Sequence, residues 1–158
     1  MEQLFNPRSI AVVGASANPA AIGGKPISQL VSHGYAGEIY PVNPNRDEVQ
    51  GLRCYPSIDE APDGVDLAII AVPAAVVPGV VEACGRRGIP YALVLSSGFA
   101  DAGGDGARFQ EELRQTAIAA GVRVIGPNCV GFISAANQVY AGFGAFFDYD
   151  FQPGPVGF

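Results

Sequence analysis

Five short turns hold most of the residues whose types could recognise a charged ligand. The first reads Gly14-Ala15-Ser16-Ala17-Asn18-Pro19 and runs on to Gly23-Gly24-Lys25. A glycine-rich turn opening a helix is an anion cradle, because backbone N–H groups and the helix dipole favour negative charge there. Ser16 adds a hydroxyl donor and Lys25 a positive charge. The spacing is neither GxGxxG nor the GxxxxGK[ST] of a P-loop. The other four turns are Pro41-Val42-Asn43-Pro44-Asn45-Arg46, Ala71-Val72-Pro73-Ala74, Ser96-Ser97-Gly98-Phe99 and Gly126-Pro127-Asn128-Cys129. Pro73 stiffens its turn, Ser97 and Gly98 offer a hydroxyl and close backbone approach, and Asn128 offers an amide donor and acceptor.

The second turn narrows the ligand. A NAD-binding unit places Asp or Glu near this point to take the ribose hydroxyls. Here the side chain on offer is Arg46, which suits a phosphate carried on the ribose. On residue chemistry alone, NADP and coenzyme A both remain open.

Catalytic groups are scarce by comparison. Ser96-Ser97-Gly98 lacks the GxSxG elbow of a hydrolase. The single histidine, His33, falls near the end of a predicted helix, opposite the strand ends, and reads as a surface or helix C-terminal residue. Cys129 reads as a small buried residue rather than a reactive thiol. Cys54, Cys84 and Cys129 are an odd number without CxxC spacing, which argues against a metal site or a disulfide framework and points to a reducing cytoplasm. No catalytic and no metal-ligating residue is assigned.

The elements that must carry these turns are legible as an alternation. Apolar runs at Ile10–Val13, Ile39–Val42, Leu67–Val72, Tyr91–Leu95 and Val122–Ile125 are rich in β-branched or aromatic residues and stopped by Gly, Pro, Ser or Asn. They do not alternate strictly, as expected of strands buried on both faces of a parallel sheet. Amphipathic spacing predicts helices over Lys25–His33, Ala75–Arg87 and Ala107–Ala120, with Gly34, Gly88 and Gly121 as stops and Pro78 in a first turn. A single turn is expected at Ser57–Ala61. The predicted fold is α/β: a Rossmann-like, doubly wound, mainly parallel sheet with helices on both faces. In such a sheet the ligand lies beyond the carboxyl ends of the strands, where all five turns fall.

Composition sets the outer bounds. The chain has 158 residues, close to the ~150 expected of one domain. Its 21 Gly and 13 Pro mark a loop-rich chain, and their lack of period excludes collagen and repeat arrays. The net charge of −6 argues against nucleic acid as a partner. The apolar stretch Leu67–Val81 carries two prolines and is too short for a bilayer, and the N-terminus is unlike a secretory signal, so no membrane partner is expected.

Taken in order, Ile10–Ser16, Tyr40–Pro44, Gly51–Pro56, Val65–Ala68, Ala71–Ala74, Ser97–Phe99 and Gly126–Cys129 resemble one module. It is the N-terminal CoA-binding domain of NDP-forming acyl-CoA synthetases, which include ADP-forming acetate–CoA ligases. The module is similar to the α subunit of succinyl-CoA synthetase and also begins some protein lysine acetyltransferases. The resemblance implies coenzyme A as ligand. It implies that Gly14, Ala15, Ser16 and Asn18 lie near the CoA pyrophosphate, and Lys25, Asn43 and Pro44 belong to the same binding edge. It further implies Arg46 at the ribose phosphate and Val72, Pro73 and Ala74 at the adenine or pantetheine side. Ser97 and Gly98 would border the pantetheine channel and Asn128 the thiol end. Arg stands where the family is expected to carry Lys, which keeps the charge and changes the contact geometry.

The resemblance also implies the remaining domains or subunit of an acyl-CoA synthetase as partners. The phosphohistidine of such ligases lies in a later domain, so no turnover by this chain alone is expected. A regulatory domain of a lysine acetyltransferase, a stand-alone CoA-binding module and an NADP-dependent oxidoreductase fragment are the alternatives. The expected CoA-binding domain covers residues 1–136. Residues 137–158 are expected to lead toward a following domain, with Gly154–Phe158 opening a further strand. Phe143, Phe146, Phe147 and Phe151 there suit either an interface or packing beneath the domain.

Overall fold

The computed structural model describes residues 2–154. Five parallel strands form the central sheet: β1 (Ser9–Val13), β2 (Glu38–Val42), β5 (Leu67–Ile70), β6 (Tyr91–Val94) and β7 (Arg123–Ile125). Two short antiparallel hairpins sit outside it, β3 (Glu48–Val49) with β4 (Leu52–Arg53) and β8 (Gly131–Ser134) with β9 (Val139–Gly142). The helices are α1 (Glu2–Phe5), α2 (Lys25–Ser32), α3 (Val77–Arg86) and α4 (Gly106–Ala120). The expected single turn appears as a 3-10 turn at Ile58–Glu60.

The sheet order is β2-β1-β5-β6-β7, with Ile10 level with Ile39 on one side and Leu67 on the other. The chain therefore winds outward from β1 in both directions, the doubly wound arrangement expected of the strand–helix alternation. All five predicted strands are present. Three end or begin a residue or two inside the expected runs: Ala71, Val72 and Leu95 follow the last paired residues of their strands, and Val122 precedes the first of its own.

Side-chain alternation splits the core into two layers. Ala11, Val13, Ala68, Ile70, Ala92 and Val94 face α3 and α4, where they meet Val77, Val81, Cys84 and Leu113. Ile10, Val12, Leu67, Ile69 and Leu93 face the other way, onto Ile27 and Leu30 of α2 and Val139 and Ala141 of β9. Both faces being buried explains why the strands read as continuous apolar runs.

Helix ends follow the local sequence. Pro26 and Pro78 stand in the first turns of α2 and α3, where a missing N–H costs little. Gly34, Gly88 and Gly121 follow the last turns of α2, α3 and α4 with positive φ. Helix α3 starts at Val77 rather than Ala75, since Ala74 to Val76 are used in the turn that leaves β5.

The C-terminal region is built into this core. β9 pairs with β8 across Ser134↔Val139, a hairpin that straddles positions 136 and 137, and it packs on α2. Phe147 is fully buried and Phe143 is half-buried against the α2 layer. Phe146 and Phe151 remain 44% exposed. The aromatic cluster thus divides, two rings packing inward and two facing solvent. The expected further strand at Gly154–Phe158 lies outside the described residues except for Gly154.

Candidate functional site

The loop after β1 is held by its neighbours before any ligand is considered. Gly14 and Ala15 both donate to Val42 O at the end of β2, at 3.0 and 3.1 Å. Gly14 has φ +82°, and a Cβ there would lie 2.5 Å from Ala71 O. Only glycine fits between the β1 loop and the β5 loop, and this is the point where the sheet reverses its winding. Asn43 ties the two turns together, donating from Nδ2 to Ala15 O at 2.9 Å and accepting from Asn45 N at 2.9 Å. That Asx turn presents Pro44 and Arg46 on the surface. Among the described residues Arg46 makes no ion pair, so its charge is available.

Within the β1 loop many donors are already used. Ser16 N goes to Gly23 O, Asn18 N to Ser16 Oγ, Ala20 N to Asn18 Oδ1 and Lys25 N to Ala21 O. Pro26 has no N–H. The N–H groups of Ala17, Ile22 and Gly23 find no protein acceptor among the described residues. Three N–H groups of this loop are thus without a protein acceptor among the described residues, fewer than a glycine-rich loop promises.

The remaining turns form a connected line along the same edge. Ser96 Oγ donates to Val72 O at 2.5 Å, Asn128 N donates to Ser96 O at 3.0 Å, and Asn128 Nδ2 donates to Asp101 Oδ2 at 3.1 Å. Asn128 has φ +52° and is exposed. Pro73 and Ser97 are exposed, Val72 and Gly98 half-buried, and Ala74 lies in the core beneath Gly98. Ala74 therefore shapes the floor from below.

The structure brings Gly14 to Asn18, Asn43 to Arg46, Val72 to Ala74, Ser97, Gly98 and Asn128 to one sheet edge. Lys25 is engaged elsewhere: its Nζ lies 2.6 Å from Asp148 Oδ1. Sequence reasoning missed Gln50, Asp101 and the bracing role of Ser96. Gly51 was the one signal for the Gln50 turn, and Gln-Gly is a weaker hairpin marker than Asn-Gly.

Burial pushes the Cys129 thiol above its usual range, opposed by a backbone hydrogen bond to Gly131. His33 caps α2, as expected of a helix C-terminal residue, but its side chain is only 9% exposed rather than on the surface. It stacks on Tyr140 at 3.6 Å, and Nε2 lies 2.9 Å from Phe147 O. A cavity of about 400 Å³ opens beside His33, Tyr140 and Asp150. A second, of about 500 Å³, lies between α3 and α4 by Arg86 and Thr116. Neither is lined by the strand-end turns. Among the described residues no group of His, Cys, Asp or Glu could hold a metal ion, and no helix is long and apolar enough to cross a membrane.

Comparison with known proteins identifies the family. A family profile described as a CoA binding domain matches residues 8–135. The chain is 41% identical over 160 residues to the α subunit of acetate–CoA ligase (ADP-forming) I of Pyrococcus furiosus, covering 99% of this chain and 34% of that one. It is 43% identical over 143 residues to acetate–CoA ligase (ADP-forming) II of Archaeoglobus fulgidus, covering 90% and 21%. Among solved structures, the dinucleotide-forming acetyl-coenzyme A synthetase 1 of Ca. Korarchaeum cryptofilum, in complex with phosphate and ADP, superposes with a TM-score of 0.85 at 45% identity, over 91% of this chain and 31% of that one. The chain thus spans about a third or less of these relatives. A profile match over most of the chain, and relatives above 40% identity over nine-tenths of it or more, lead to one conclusion: the chain belongs to the CoA-binding domain family.

Proposed function

We propose that this chain binds coenzyme A as the CoA-recognition part of an NDP-forming acyl-CoA synthetase, whose overall reaction converts acid, CoA and ATP to acyl-CoA, ADP and phosphate. The observation that carries the reading is the Gly14 contact at the switch point, with Arg46 exposed in the turn beyond the adjacent strand and without an ion-pair partner among the described residues. A pyrophosphate would take the N–H groups of Ala17, Ile22 and Gly23, and the ribose phosphate would take Arg46. The pantetheine arm would run past Val72, Pro73, Ser97 and Gly98 toward Asn128. The matches to acetate–CoA ligases support this reading.

The chain's own contribution is binding and orientation. The CoA thiol supplies the nucleophile when bound. His33, buried against Tyr140 away from the strand ends, is not poised to carry phosphate, so that step is assigned to a part of the enzyme outside this chain. Calorimetric titration with CoA, 3′-dephospho-CoA and NADP tests the reading. CoA is expected to bind tightest, dephospho-CoA more weakly and NADP not at all. NADP binding without CoA binding would overturn it in favour of an oxidoreductase fragment.

A further inference from the structure

Gln50 stands at the ligand edge, yet none of the five turns contains it. It occupies the first central position of the two-residue turn between β3 and β4, with φ +53°, and Gly51 follows at φ +80°. Positive φ at both positions is what a type I′ hairpin turn requires, and a non-glycine residue pays strain to sit there. The strained position sends the side chain back to the β1 loop. Nε2 donates to Ser16 O and to Gly24 O, each at 3.0 Å. One amide NH2 has two hydrogens, so a single group closes the loop at both its ends.

The bond to Ser16 O has a consequence for the next atom along. The Ser16 carbonyl and the Ala17 N–H belong to one planar trans peptide and point in opposite directions. Fixing the carbonyl on Gln50 therefore aims the Ala17 N–H away from the hairpin, and that N–H has no protein acceptor among the described residues. We propose that Gln50 is a positioning residue for anion recognition: it locks the Ser16–Ala17 peptide so that the Ala17 N–H is presented to the CoA pyrophosphate. The proposal rests on the CoA reading above. It goes beyond that reading by assigning loop geometry to a side chain on a separate hairpin.

The test uses Gln50→Gly and Gln50→Glu beside the wild type. Glycine accepts positive φ without strain, so Gln50→Gly keeps the turn while removing both donors. Glutamate keeps the size and turns donors into acceptors facing two carbonyls. CoA affinity by calorimetry is expected to fall about tenfold in both, while Gln50→Gly still unfolds in one cooperative transition. In the wild type, the Ala17 amide should exchange with solvent readily when free and be protected by CoA, and this protection should be lost in Gln50→Gly. Affinities within about twofold of wild type in both variants, or an Ala17 amide in the wild type that ignores saturating CoA, would overturn the role of Gln50 and leave the CoA reading intact. Failure of the wild type to bind CoA would overturn both.

Discussion

Lys25 Nζ lies 2.6 Å from Asp148 Oδ1, joining the first turn of α2 to a residue 123 positions later. Gln29 Nε2 donates to the same oxygen at 2.6 Å. The hydrogen bond from Lys25, then that from Gln29, hold the Asp148 carboxyl below the usual carboxylate range. A lysine already paired with a carboxylate is less available to a phosphate. Lys25→Ala is therefore expected to leave CoA affinity within about twofold of wild type, measured by calorimetry, while lowering the unfolding midpoint. A tenfold loss of affinity would show that Lys25 leaves Asp148 for the ligand.

Arg46 carries the opposite expectation. It is exposed, and among the described residues it has no ionic partner. Arg46→Ala should weaken CoA binding by roughly 1.5–3 kcal/mol, the scale of a charged hydrogen bond. 3′-Dephospho-CoA should be nearly unaffected. Equal losses for the two ligands would remove the ribose-phosphate role.

Phe147 measures how far the C-terminal segment belongs to the core. Its ring is fully buried, a Cβ on Gly142 would meet it at 2.3 Å, and its carbonyl lies against His33 Nε2. Phe147→Ala should cost about 3–5 kcal/mol by urea denaturation, as for other buried phenylalanines. A cost below about 1 kcal/mol would mean that this segment merely lies on the surface.

Asp66 predicts the acid limb of stability. It accepts from Arg8 N at 2.8 Å, Arg8 Nε at 3.0 Å, Arg8 Nη2 at 3.1 Å and Gln3 Nε2 at 3.2 Å. The side-chain hydrogen bond from Arg8 is the main reason its carboxyl lies below the usual range. A carboxyl depressed in the folded state stabilises fully above its unfolded value, about 3.9, and loses that contribution as pH falls through the depressed value. The Arg8 side chain is 78% exposed, so water and salt screen the effect. Thermal unfolding followed from pH 7 downward should show a decline that is shallower in Asp66→Asn. Parallel curves for the two proteins would remove Asp66 as its source.

The strands, the three long helices and the edge where the strand-end turns gather were legible from sequence because their signals are local. Ile10–Val13 and Leu67–Ile70 are apolar runs closed by turn residues within one stretch of chain, and Gly14 and Arg46 take their places from the strands beside them. Local spacing could not reach the rest. The β8–β9 hairpin fills the α2 face where the alternation promised no element, because Val139 and Ala141 find a partner in α2 more than a hundred residues earlier. Gln50, Asp148 and Ser96 are ordinary polar residues in the sequence. Which of them braces the site depends on which carbonyl or ammonium the folded chain brings within 3 Å, and only the tertiary path sets that distance.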